Sequence, residues 1–203
     1  MNRVLLKQKW GKTATFISLW LFRIFLIMKE YKSSLDVVAR IVPWFLLFIA
    51  VMIAVPLFVN FSTVGMGALP TLLLGPVLII ALYIYMYMLQ TLSISVDGYA
   101  ITINRKMKPV TIPFSEITSV RKVDDMRFAI RTFGNGGVFG YTGYFYKKGI
   151  GSMLWYCTQR ANYILIETKG KKIVITPDDP EGFLKDIAAV NPSVVPESEA
   201  PQP

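Results

Sequence analysis

Two apolar runs, Ile41–Val59 and Ala68–Leu89, contain no Asp, Glu, Lys or Arg and are joined by Asn60–Gly67 alone. Each is about 20 residues long, enough as a helix to span about 30 Å of hydrocarbon. The pattern predicts a two-helix transmembrane hairpin over residues 41–89. After Gln90 the period changes from helical to strictly alternating. Leu92–Val96 and Tyr99–Asn104 alternate on either side of Asp97-Gly98, a hairpin turn signal. Further strands are predicted at Val110–Phe114, Met126–Thr132, Tyr144–Tyr146, Met153–Thr158, Tyr163–Glu167 and Lys172–Thr176, with Ser115–Val123 as the connection between the first two of these. Asp179 and Pro180 then form a helix start, with Phe183, Leu184, Ile187 and Ala188 on one face. The residues from Asn191 to Pro203 read as a disordered tail. About seven short antiparallel strands and one terminal helix, in about 100 residues, predict an α+β domain. The sheet would curl into two packed layers or a partly open barrel, with the helix closing one end.

The first 40 residues form a basic N-terminal segment. Thr13–Met28 is apolar but short for a span, and Arg23 interrupts it. Two readings stand side by side. Thr13–Met28 is an interfacial helix with Arg23 reaching to the headgroups, or residues 1–27 extend beyond a true start at Met28.

Charge orients the hairpin. The net charge is +9, and eight Lys or Arg fall in residues 1–40 against Glu30 and Asp36. The connecting loop is uncharged, whereas both flanks are basic. Basic residues stay on the cytoplasmic side of a span, so both termini and the C-terminal domain are expected in the cytoplasm, at an inner or plasma membrane. The same charge suits anionic headgroups. Because it is densest beside the predicted spans, it argues for topology and against nucleic-acid binding. Cys157 is the sole cysteine and histidine is absent. That removes an internal disulfide, the commonest general base and the commonest metal ligand.

The run Arg131-Thr-Phe-Gly134-Asn-Gly-Gly137-Val-Phe-Gly140-Tyr-Thr-Gly143-Tyr-Phe is followed by Gly149-Ile-Gly151, Tyr156, Ile164–Thr168 and Ile173-Val-Ile-Thr-Pro-Asp-Asp-Pro-Glu-Gly-Phe183. This stretch, about residues 90–190, resembles the bacterial PH (pleckstrin-homology-like) domain family. The resemblance implies a PH-like antiparallel β-barrel with a C-terminal capping helix, often joined to one or two membrane helices. It carries over no catalytic residue. In lipid-binding PH domains a basic cluster lies near the first strands. Here Arg105, Lys106 and Lys108 occupy that turn, as candidate contacts to anionic lipid or a partner.

Other constellations carry less. The glycine cluster fails the dinucleotide pattern, since counting from Gly134 the sixth place is Phe139. Glycine's freedom at positive φ and in bulges explains the cluster instead. Asp124-Asp125 and Asp178-Asp179 read as a turn and a helix cap, and Cys157 as a core residue. No catalytic set, cofactor or metal site is expected. The sequence thus predicts a non-enzymatic, membrane-anchored binding or scaffold module with a protein partner. The alternative is a small accessory subunit of a membrane transporter or enzyme complex, acting through its hairpin.

Overall fold

The computed structural model describes residues 29–59 and 69–196. Thr13–Met28, the loop Asn60–Gly67 and the end of the tail lie outside the described residues. Among the described residues are ten strands and three α-helices. The strands are β1 (Lys29–Lys32), β2 (Thr91–Val96), β3 (Ala100–Arg105), β4 (Val110–Pro113), β5 (Ile117–Val123), β6 (Ile130–Gly136), β7 (Tyr141–Lys147), β8 (Gly151–Cys157), β9 (Tyr163–Thr168) and β10 (Lys172–Ile175). The helices are α1 (Val37–Val59), α2 (Leu69–Met88) and α3 (Pro180–Val190).

The strands form two sheets, ordered β1-β2-β3-β4 and β5-β9-β10-β8-β7-β6. A short 3₁₀ turn, Phe114–Glu116, carries the chain from the first sheet to the second. The domain is therefore a two-layer sandwich, one of the two arrangements the alternation predicts, rather than the barrel that the resemblance implies. Nor is it wholly antiparallel. The β9–β10 hairpin places β10 between β9 and β8, and so β10 runs parallel to β8. Alternation reports which face a residue uses, but not the order in which strands lie.

The inner strands of the six-stranded sheet, β9 and β10 with the end of β8, are buried on both faces, which explains their continuous apolar runs. On one face Tyr156, Ile164, Ile166, Ile173 and Ile175 meet the four-stranded sheet and α3 in the main core. On the other, Trp155, Cys157, Tyr163, Leu165 and Val174 form a second cluster with Met126 and Ala39 of α1. Helix α3 closes the main core with Phe183, Leu184 and Ile187, all buried. Asp179 caps it, accepting a 2.9 Å hydrogen bond from the Gly182 amide. Replacing that cap costs about 1 kcal/mol. Asp179→Ala should accordingly lower the urea midpoint while leaving the denaturant slope unchanged; an unaltered midpoint would show that the cap contributes nothing.

Two features lie outside the sequence expectation. Strand β1 adds to the edge of the first sheet, pairing Lys29–Lys32 with β2. Tyr31 points into the core, meets Phe183 edge-on at 5.3 Å and donates hydrogen bonds to Asp186 and the Gly182 carbonyl. Burial, then the bond to Asp186, pushes the Tyr31 hydroxyl up to about 12. Burial also works upward on the Asp186 carboxyl, but hydrogen bonds from Lys29 and Tyr31 prevail and hold it below the ordinary range. The second feature is the stretch just after Asn191, expected to be part of the tail. Pro192–Val194 makes a 3₁₀ turn, and Val194 and Val195 are buried in the main core.

Segment Ser33–Asp36 ties α1 to the sandwich. Ser33 Oγ bonds Thr158 Oγ1 and the Thr176 carbonyl, each at 2.8 Å. Asp178 accepts the Ser34 amide at 2.8 Å. Asp36 caps the first turn by accepting the Ala39 amide at 2.7 Å, so α1 starts earlier than the apolar run. Residues Val37–Pro56 are long and apolar enough to cross a membrane by length and composition, and few of them are buried within the protein. Helix α2 contains a shorter apolar run, Leu74–Met88. Both helices contain proline, Pro43 and Pro56 in α1 and Pro76 in α2.

Candidate functional site

The three basic residues singled out in the sequence stand at the turn between β3 and β4, against the end of α2. The Met107 amide donates to the Met88 carbonyl at 3.0 Å, and the Lys106 amide to the Gln90 carbonyl at 3.3 Å. The turn is thereby bolted to the helix. Its side chains divide. Lys106 Nζ lies 3.2 Å from the centre of the Tyr87 ring. Arg105 lies over the Tyr156 ring at 5.1 Å and donates from Nε to the Lys108 carbonyl at 2.9 Å. Lys108 is exposed, as is Met107 beside it. Two of the three cations thus rest on aromatic faces, an arrangement worth about 0.5–1 kcal/mol at exposed sites.

A second element reaches the same helix end. The glycine-rich stretch is the β6–β7 hairpin. Its tip closes with a 3.0 Å bond from the Gly137 amide to the Gly140 carbonyl. Asn135, buried, holds the tip from inside by accepting the Val138 amide at 3.0 Å and donating to the Val138 carbonyl. Phe139, at φ 57°, projects from the tip. Its ring meets Tyr83 and Tyr87 of α2 edge-on, each at 5.2 Å. On the other side, Gly137 approaches Val38 of α1. The hairpin tip is therefore seated between the bases of the two helices.

The outer strands of this hairpin overhang the sandwich. β6 is the free edge of its sheet, and a bulge between Arg131 and Phe133 shifts its register. Ile130 pairs with Tyr146 and Phe133 with Tyr144, which places all four on one face. That face is bare: Ile130 is 68% and Phe133 76% exposed, with Tyr144 and Tyr146 about half exposed.

The opposite face of the same sheet carries a cleft of about 740 Å³ that the sequence reading missed. Its floor is aromatic. Phe145 stacks on Trp155 with centroids 4.1 Å apart, and Tyr163 lies tilted beside Trp155 at 5.4 Å. Arg127, Arg131 and Arg160 line it, with Asp124 the single carboxylate. Tyr141, also lining, donates to Asp36 at 3.0 Å. Burial, then Asp36, pushes the Tyr141 hydroxyl up to about 12. These residues are scattered between 124 and 163, and only the folded sheet assembles them. The one signal available in sequence was the alternation of Met153, Trp155 and Cys157 with Leu154 and Tyr156.

Of the other candidates, Asp125 pairs with Arg127 and Lys147, and Asp178 and Asp179 fasten the Ser34 segment and cap α3. Cys157 is buried with its thiol pushed well up by desolvation. Among the described residues no cluster of His, Cys, Asp or Glu could hold a metal ion.

A strand-rich sandwich closed by one C-terminal helix is the architecture of a PH-like binding domain. Residues 92–190 match the family model described as the bacterial PH domain, and this part of the chain is such a domain. Strand β1 and helices α1 and α2 lie outside the match. Comparison with curated proteins and with solved structures gives no match. Domains of this class are typically non-catalytic binding or scaffold modules.

Proposed function

We propose that the protein is a membrane-anchored scaffold whose PH-like domain presents the β6–β7 overhang to a protein partner. In this reading α1 and α2 form a transmembrane hairpin, with both termini and the domain on the cytoplasmic side. The observation that carries it is the overhang itself. The hairpin is held at its tip by Phe139 between Tyr83 and Tyr87, yet its face of Ile130, Phe133, Tyr144 and Tyr146 is bare. An exposed apolar face beside a free strand edge suits an extended segment of another chain, added as a further strand. Only Leu89 and Gln90 separate α2 from β2. A domain held so close to a bilayer has no need of lipid affinity for recruitment, because tethering supplies a high local concentration. Lys108, with Arg105 and Lys106 behind it, adds weak contact to anionic headgroups, about 1 kcal/mol per cation at most.

Site-specific photo-crosslinking in intact membranes tests this. A benzophenone side chain at Phe133 should yield one discrete protein adduct, and one at Val51 should yield lipid adducts. The chain should stay in the membrane fraction after alkaline carbonate washing. Release by carbonate would remove the anchoring. A protein adduct at Val51 and none at Phe133 would remove the role of the overhang and favour an accessory subunit acting through its helices.

A further inference from the structure

The cleft on the outer face of the six-stranded sheet is independent of the overhang and of the anchoring helices' function. Three observations give it the chemistry of a ligand site. The first is charge: three guanidinium groups face one carboxylate around the opening. They are not equally committed. Arg127 is 3.2 Å from Asp125, and Arg160 is 3.6 Å from Asp36. Arg131, among the described residues, has no carboxylate within salt-bridge distance. Its guanidinium lies over Gly136, where a Cβ would displace it, and glycine there leaves the arginine room. Arg131 is exposed at the cleft's rim, and its unpaired fork is open to a bidentate oxyanion entering the cleft.

The second observation is the floor. Phe145, Trp155 and Tyr163 form a continuous aromatic surface, and each is nearly buried by its neighbours. Its exposed edges give the cleft an apolar bottom against which a flat apolar body can rest. The third is an orphan donor. Trp155 is 3% exposed, and its indole Nε1 is buried with no hydrogen-bond partner among the described residues. Buried polar groups are nearly always paired, and Trp155 lines the cleft, so its unpaired donor calls for an acceptor from outside the described residues. The volume lies within the range of small-molecule sites.

We infer that this cleft binds a small organic anion, a planar apolar ring bearing a phosphate or carboxylate, with Arg131 on the oxyanion and the Phe145–Trp155–Tyr163 floor under the ring. Tyr141 and Arg160 line the same cleft, and Asp36, which joins them, caps α1. The site therefore abuts the base of the first helix.

The probe is 1-naphthyl phosphate, titrated calorimetrically into the full chain in phosphatidylcholine nanodiscs, with empty nanodiscs as blank. It should bind at least tenfold more tightly than inorganic phosphate or 1-naphthol, since each lacks half of the recognised chemistry. Arg131→Gln should weaken it at least tenfold, whereas Lys169→Gln, on the remote β9–β10 turn, should leave it unchanged. Trp155→Phe keeps the floor and removes the orphan donor, and should weaken binding about fivefold. Equal binding of 1-naphthol, or an unaltered affinity in Arg131→Gln with the folded circular dichroism spectrum retained, would overturn the inference. Adding phosphatidylglycerol to the nanodiscs should not matter. A tenfold loss of 1-naphthyl phosphate binding there would give the cleft to a lipid headgroup and overturn the small-molecule reading.

Discussion

Phe183→Ala should destabilise the sandwich by about 3–5 kcal/mol, the usual cost of removing a buried phenylalanine from a core. Phe183 is fully buried on α3 and is the largest such side chain among the described residues. It fills the space between the two sheets and meets the Tyr31 ring edge-on. Its removal therefore leaves a cavity and also loosens β1, whose only inward anchor is Tyr31. Against a typical total of about 5–15 kcal/mol, this loss is large. Urea unfolding of the detergent-solubilised chain, followed by near-ultraviolet circular dichroism, measures it. Phe183→Leu should recover more than half of the loss, because it refills most of the volume. A change below about 1 kcal/mol for the alanine variant would mean that α3 does not close the core.

Gly143→Ala should open the β6–β7 hairpin while leaving the centre of the sheet intact. Gly143 sits at φ 131° opposite Gly134 at φ 117°, and the two are directly paired. A Cβ on Gly143 would overlap the Phe133 carbonyl oxygen and stand 2.7 Å from Gly134 Cα. Both obstacles are backbone, so neither can rotate away. The unfavourable φ adds about 1–3 kcal/mol to this overlap. The strands must separate, which unseats Phe139 and disturbs Arg131 and Phe145 in the cleft. Amide hydrogen exchange reports it directly. Protection should fall across β6 and β7 and persist in β9 and β10. Gly98→Ala is the matched comparison, since a Cβ there meets nothing within 4 Å, and it should exchange like the parent. Unchanged protection in the Gly143 variant would refute the close-approach explanation of these glycines.

Local pattern carried much of this architecture. The hairpin at Asp97-Gly98 is legible because Asp97 accepts the amides of Tyr99 and Ala100 at 2.9 and 2.8 Å, the bonds that make Asp-Gly a turn signal. Helix α3 is legible because cap, first-turn proline and apolar face agree. The glycines announced backbone geometry, although their place in a strand pair rather than a loop was hidden. Strand β1 was not legible. Four residues with one inward side chain, Tyr31, give no periodicity, and the pairing with β2 spans the whole of α1 and α2. The parallel β8–β10 pair was hidden for a related reason, since pairing order is decided by three-dimensional packing. The candidate site divides likewise. Arg105, Lys106 and Lys108 are neighbours in the chain and so were visible together, but their partners Tyr156 and Tyr87 were not. The cleft, built from four strands and two loops, left no linear trace.

Tyr83 and Tyr87 are four residues apart and so share one face of α2. Because both clasp Phe139, the helix is held in azimuth as well as in distance. Each residue of an α-helix turns about 100°, so one residue added between Tyr87 and Thr91 would swing that face away from the hairpin tip. The junction between α2 and β2 therefore behaves like a keyed shaft. Any twist of the helix about its own axis must either drag the β6–β7 hairpin with it or break the clasp.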